Sequence, residues 1–305
     1  MSQPSVSAKL VSAIPGVFRG RREAVEQVVV AFLAGGHALV EDVPGVGKTT
    51  LARALATALG GTFRRLQCTP DLLPPDVTGV SVFDESTRTF VFHPGPVFTD
   101  VLLADELNRT PPRTQAALLE ALSENQVSVE GVARPLPAAF FCIATQNPLD
   151  HAGTYPLPDN QRDRFLVSVG LGYPDVADEL TLLTRDGAER DLAVAVAVID
   201  GASIVRERAA VRQVRIEERV RSYLLELVRA TRSTRQLLVG ASPRAALGLQ
   251  RAAQARAVMH DRDFVIPEDI QALAVPVLAH RVSPRAGSTA KEAITAVVDA
   301  QAVPL

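Results

Sequence analysis

The segment Glu41-Asp42-Val43-Pro44-Gly45-Val46-Gly47-Lys48-Thr49-Thr50 restricts what this chain can fold into more than any other. Before it, residues 37–40 form an apolar run too short for a helix, which reads as a strand. After it, Leu51, Leu55 and Leu59 share one face and predict a helix over 48–59, stopped by Gly60-Gly61. Strand, glycine turn and helix together make backbone N–H groups converge on a phosphate, and side chains would obstruct that convergence, hence Gly45 and Gly47. In such a loop Pro44, Gly45, Val46, Gly47, Lys48, Thr49 and Thr50 surround the ligand. Lys48 reaches the β- and γ-phosphates and the Thr49 hydroxyl ligates Mg²⁺, so ATP with Mg²⁺ is the expected ligand. Asp42 stands where the usual pattern begins with glycine, and a carboxylate turned inward there would repel phosphate.

Further apolar runs at 63–68, 101–104 and 140–144 read as strands, with helices at 17–33 and 112–122. Strands alternating with helices imply a parallel sheet covered on both faces. After about Gly172 the character changes to helical periodicity without a convincing strand. Helices are predicted at 215–231, 243–259, 267–280 and 290–301, with 205–212 and 232–240 as loops between them. Pro267 takes the favoured first position of its helix. The expected architecture is α/β, a nucleotide-binding domain over 1–172, followed by a linker and a small all-α domain over 173–305.

The acidic and polar ends of two strands supply the chemistry. The strand at 101–104 stops on Asp105-Glu106, which places two carboxylates at the carboxyl edge of the sheet, where doubly wound folds bind ligands. Asp105 would hold Mg²⁺ through water, and Glu106 would polarise the attacking water as general base. The strand at 140–144 runs into Thr145-Gln146-Asn147, and Asn147 is placed to orient that water or touch the γ-phosphate. Gln67, at the end of a neighbouring strand, is a candidate to hold Glu106 in an idle position.

Composition limits the remaining classes. A net charge of −2 over 305 residues, no Trp and three Tyr argue against a phosphate-tracking or base-stacking surface, so nucleic acid is an unlikely partner. A small-molecule kinase would need an acceptor pocket in the second domain, which the chain spends on helices. Cys68 and Cys142 sit in apolar runs and read as reduced core thiols. The opening MSQPSVSAKLVSAIPG carries little charge and is broken by Ser and Pro, unlike a signal peptide. No run approaches the ~18 apolar residues of a membrane helix. A cytoplasmic address is expected.

The motifs, in this order, resemble the MoxR family of AAA+ ATPases over nearly the whole chain. They are VEDVPGVGKTTLA at 40–52, CTPDLLPPDVTG at 68–79, LLADELNRTPPRTQAALLEAL at 102–122, FFCIATQNP at 140–148, LPDNQRDRFL at 157–166, VGASPRAALGLQRAAQARA at 239–257 and VIPEDIQALAVPVLAHR at 265–281. The stretch 174–212 carries no tight pattern. The resemblance implies an AAA+ sheet domain with a helical lid, ATP hydrolysis, and assembly into a homo-oligomeric ring, a hexamer. It implies chaperone-like remodelling, assembly or cofactor-insertion maturation of a client protein, with a von Willebrand factor A-type partner. An AAA+ motor acting on nucleic acid is the alternative. Arg164 then corresponds to the arginine finger, delivered to the neighbouring subunit's ATP, with Arg162 as its rival. Arg244 corresponds to a second sensor reaching the γ-phosphate of its own subunit. Hairpins are implied at about 79–92 and 127–136, where polar tips and rough alternation fit, and they would face a pore or the client.

Overall fold

The computed structural model describes residues 6–14, 17–147, 153–184 and 201–304; Pro148 of the FFCIATQNP motif and 185–200 of the loosely patterned stretch lie outside them. Five strands form the main sheet: β1 (Ala38–Glu41), β2 (Phe63–Gln67), β5 (Val101–Asp105), β8 (Phe141–Gln146) and β9 (Val167–Val169). Two antiparallel hairpins interrupt the series, β3 (Gly79–Asp84) with β4 (Thr89–Pro94) and β6 (Gln126–Val129) with β7 (Val132–Pro135). The sheet order is β2-β5-β8-β1-β9, parallel throughout, with Ala38 beside both Ile143 and Val167 and Val101 beside Phe141. β5 and β8 are apolar and buried nearly end to end, as strands covered on both faces must be.

Each face carries its own core. On one, helices Arg22–Leu33 and Lys48–Ala58 and the helical lid bury Phe32, Leu51, Leu55, Phe141 and Val167. On the other, helix Pro112–Glu124 buries Leu118 and Leu119 against Leu102, Ala104 and Phe165. Cys68 and Cys142 are buried free thiols.

The lid comprises helices Gly201–Gln213, Glu218–Ala230, Pro243–Met259, Pro267–Leu278 and Ala290–Ala300. Helix Pro243–Met259 begins as its sequence dictates: Ser242 Oγ accepts from the Ala245 N–H at 3.2 Å and Pro243 fills the first helical position. Asp269, fully buried, accepts from Arg256 at 2.6 Å and from two nitrogens of Arg262 at 2.7 Å. Among the described residues no helix is long and apolar enough to cross a membrane.

Several expectations are corrected. The helix expected over 17–33 starts at Arg22; Val17 and Phe18 are buried in the turn before it. The loop expected over 205–212 belongs to helix Gly201–Gln213. Its arginines resemble a solvated loop in sequence, but Ile204 and Val211 are buried, and Arg208 stacks over the Phe32 ring at 4.6 Å and donates to Phe32 O and Ala138 O. Strand structure also occurs after residue 174. β10 (Leu237–Val239) pairs antiparallel with β11 (Ser283–Pro284), an element too short to leave a periodic trace. Helix Val6–Ala13 and β9 had no counterpart in the sequence reading.

Candidate functional site

The phosphate loop leaves the carboxyl end of β1 and passes through Gly45 and Gly47 at φ 87° and 88°, left-handed conformations strained for any side chain. Gly47 is also the residue before helix Lys48–Ala58, so the helix's unpaired N–H groups open onto the loop. A Cβ at Gly47 would approach the Phe18 ring to 3.0 Å, and Phe18 itself is buried beneath the loop. Asp42 does not face the phosphate position: its two carboxylate oxygens accept from the N–H groups of Val43 at 2.8 Å and Gly172 at 2.7 Å. Lys48 Nζ donates to Asp42 O at 2.6 Å. Partial burial lowers the Lys48 ammonium from its ordinary pKa, while Asp42, Asp105 and Glu106 oppose that shift.

The acids lie across a cavity of about 420 Å³, with Pro44, Gly45, Gly47, Lys48 and Thr49 on one side and Asp105, Glu106 and Asn147 on the other. Arg65 and Gln67 also line it, whereas Val46 is buried behind the loop and Thr50 is not part of the wall. Thr145 organises the acids: its hydroxyl donates to Asp105 Oδ1 and accepts from the Glu106 N–H, both at 2.8 Å. Arg65 donates to Asp105 Oδ2 from Nη2 at 2.5 Å and Nε at 3.2 Å. Glu106 holds a left-handed backbone, φ 59°, an uncommon conformation for a non-glycine residue that swings the chain into the turn Leu107–Arg109.

That turn corrects the expectation for Gln67. Arg109 Nε, not Gln67, holds the Glu106 carboxylate, at 2.9 Å, while Gln67 Oε1 accepts from Arg65 at 2.8 Å. The register is the reason, since β2 pairs Gln67 with Asp105. Phe18, Arg65, Arg109 and Thr145 were not singled out by sequence reasoning. Arg65 carried a usable signal, because a residue two places before Gln67 on a strand projects from the same face. The Thr49 hydroxyl and Asp105 carboxylate are hard oxygens on one cavity and fit Mg²⁺, which takes few protein ligands and completes its shell with phosphate and water. Among the described residues there is no group of three or more His, Cys, Asp or Glu that could hold a metal ion.

The expected arginines lie elsewhere. Arg164 Nη1 donates to Leu119 O at 3.1 Å and to Ser123 Oγ, toward the carboxyl end of helix Pro112–Glu124, where a cation suits the helix dipole. Arg162 lies 4.0 Å from Glu41 and 3.9 Å from Asp159, whereas Arg164 has no acidic partner among the described residues. Arg244, exposed in the first turn of its lid helix, shares a cleft of about 300 Å³ with Arg164, Arg251, Arg281 and Asp163. The facing wall is Gly35-Gly36-His37, which leads into β1, so this cleft lies at the amino edge of the sheet. The phosphate loop lies at the carboxyl edge, on the order of 13 Å away along the four residues of β1.

The expectation that Arg244 reaches its own subunit's γ-phosphate is therefore corrected: among the described residues no lid residue lines the Lys48 cavity. The reason is packing. Helix Pro243–Met259 lies against helix Arg22–Leu33, with its first turn beside the Gly35-Gly36 end.

Comparison with known proteins fits this arrangement. Residues 37–167 match the ATPase family associated with various cellular activities (AAA), and residues 229–300 match the AAA lid domain. YeaC of Bacillus subtilis, itself uncharacterized, is 45% identical over 274 residues, 90% of this chain and 86% of that protein. Chaperone MoxR1 of Mycobacterium tuberculosis is 38% identical over 283 residues, 90% of this chain and 74% of that protein. A crystal structure from Cytophaga hutchinsonii, of a protein assigned as an ATPase, superposes with a TM-score of 0.90 at 33% identity, covering 98% of this chain and 96% of the other. With an AAA domain joined to an AAA lid, and 38% identity over 90% of its length to Chaperone MoxR1, the chain belongs to the MoxR-type AAA+ ATPases.

Proposed function

We propose that this chain is one subunit of a closed homo-oligomeric ring, a cytoplasmic hexamer, that turns ATP hydrolysis into remodelling, assembly or cofactor-insertion maturation of a client protein. One observation carries the reading: Lys48, Thr49, Asp105 and Glu106 line one edge of the sheet, and Arg164 and Arg244 gather at the other. A single copy cannot bring these groups together. Copies arranged head to tail can, and a head-to-tail interface that closes makes a ring.

In this reading ATP lies along the loop, with its phosphates on the N–H groups of Gly45 to Thr49 and on Lys48. Thr49 and Asp105 would hold Mg²⁺, which offsets phosphate charge when bound. Glu106, released from Arg109, takes a proton from the attacking water, and Asn147 orients that water. Arg164 and Arg244 of the adjoining copy meet the charge developing on the transferred phosphoryl group. Hydrolysis removes their counter-charge, so the interface and the lids that carry Arg244 shift.

The hairpin β3–β4 supports a protein client. Phe90 is 70% exposed and Phe83 49%, their rings 5.3 Å apart, with Val80 and Val82 also open to solvent. The chaperone name of the Mycobacterium tuberculosis relative points the same way, and a von Willebrand factor A-type protein is the partner suggested by the resemblance. The test is to mix Arg164→Ala with Glu106→Gln subunits. Each protein alone should turn over ATP only at a residual rate, and mixtures should regain activity at interfaces that pair an intact Glu106 with an intact Arg164. No recovery at any ratio would remove Arg164 from an inter-subunit role.

A further inference from the structure

The arginine cleft contains a group that neither the resemblance nor the proposed mechanism uses. Arg281 follows the lid helix Pro267–Leu278, and its side chain is only 4% exposed. One arm is committed: Nη2 donates to Phe165 O at 2.6 Å, the carbonyl of the residue after Arg164, and His280 Nε2 lies 2.9 Å from the same oxygen. Asp163 lies 3.5 Å from Arg281 Nε and is the one acid in the cleft wall among the described residues. The other arm, Nη1, is buried and has no hydrogen-bond partner among the described residues.

Gly248 shows how that arm is accommodated. It sits in the middle of helix Pro243–Met259, where glycine costs about 1 kcal/mol relative to alanine. A Cβ there would lie 2.8 Å from Arg281 Nη1, so the missing side chain leaves room for that nitrogen. The arrangement concentrates cations. Arg164, Arg244, Arg251 and Arg281 line one cleft of about 300 Å³, and burial together with Arg244 lowers the Arg281 pKa to about 10 against the pull of Asp163. A buried guanidinium with an open arm among like charges costs free energy unless an anion completes it.

We infer that Arg281 is a third phosphate-binding cation of this cleft, offering Nη1 to the terminal phosphate of a nucleotide carried by another copy while its second arm holds the backbone beside Arg164. This rests on the ring reading above and adds a residue to it. A merely structural arginine would hold Phe165 O, and loss of its fork would leave polyphosphate affinity unchanged.

The test uses the full chain with Lys48→Ala, which disables the subunit's own loop, and inorganic tripolyphosphate as the probe. Tripolyphosphate should raise the melting temperature of this protein in a saturable way. Adding Arg281→Lys, which keeps the charge and one donor for Phe165 O but loses the fork, should weaken the apparent affinity at least tenfold. With Lys48 intact, Arg281→Lys should bind ATP at its own loop within twofold of the unaltered chain yet turn over at least tenfold more slowly. Unchanged tripolyphosphate affinity, or unchanged turnover, would overturn the assignment. Arg164→Ala separates the two failures. Loss of turnover there with full activity in Arg281→Lys defeats only the present inference, and full activity in Arg164→Ala defeats the ring reading beneath it.

Discussion

The two edges of the sheet treat charge in opposite ways. At the carboxyl edge every ion is matched within the subunit: Asp105 by Arg65 and Thr145, Glu106 by Arg109, Lys48 by a carbonyl and the nearby acids. At the amino edge four arginines share a cleft with one acid. The first arrangement can bind and position a nucleotide alone. The second leaves positive charge in excess of its one acid among the described residues, which an external anion would balance. In the proposed ring, fold and charge divide one reaction between two copies, and that division sets what each substitution should do.

The largest expected effect is at the unbalanced edge. Arg164→Ala should lower turnover by roughly 10³–10⁵ while calorimetry finds ATP affinity at the subunit's own loop unchanged. A parallel loss of affinity would place Arg164 on its own nucleotide and break the contrast. Glu106→Gln, at the balanced edge, should slow hydrolysis by about 10²–10⁴ and still bind ATP; normal turnover would remove Glu106 from the role of base.

Asp269→Ala lies at neither edge. It leaves Arg256 and Arg262 without their shared buried acid and should cost about 3–5 kcal/mol of stability, read as a lower urea midpoint. A loss of turnover with unchanged stability would show that this network serves the site instead of the lid's architecture.

Acid should sharpen the contrast further. His37 lines the cleft, donating from Nε2 to Leu122 O and accepting at Nδ1 from the Cys142 N–H, and burial with Arg208 nearby lowers its pKa to about 4. His280 beside Arg281 is lowered to about 3 by burial and by that guanidinium. Both folded values lie below the ordinary 6.5. Their contribution is therefore fully present above pH 6.5 and is lost as pH falls, because the unfolded chain takes up protons that the folded chain refuses. By pH 4 the loss is roughly 3 kcal/mol per histidine. The urea midpoint should fall across that interval, and less steeply in His37→Gln.

The smallest effect is expected from Arg65→Gln. Without its guanidinium on Asp105, nucleotide affinity should gain a few-fold more from added Mg²⁺ than in the unaltered chain. Calorimetry across a magnesium series would show it, and an unchanged magnesium response would mean that Arg65 does not compete for Asp105.

The phosphate loop, the four strands at 37–40, 63–68, 101–104 and 140–144 and the helix Pro243–Met259 were legible in the sequence. Each rests on local chemistry: glycine where φ is positive, continuous apolar runs where both faces are covered, Ser-Pro where a helix begins. Less was legible where partners come from afar. Helix Gly201–Gln213 packs Arg208 over the Phe32 ring, and β10 pairs with β11, partners distant in the sequence. Gln67 and Glu106 looked like partners until register and the left-handed Glu106 separated them.

By itself, then, the sequence determined a nucleotide loop on an α/β sheet and an arginine at the start of a lid helix, because those features depend on residues a few positions apart. Tertiary structure alone decided which edge that arginine serves. The lid buries its apolar surface against helix Arg22–Leu33, and that packing carries Arg244 to the amino end of β1, away from its own Lys48.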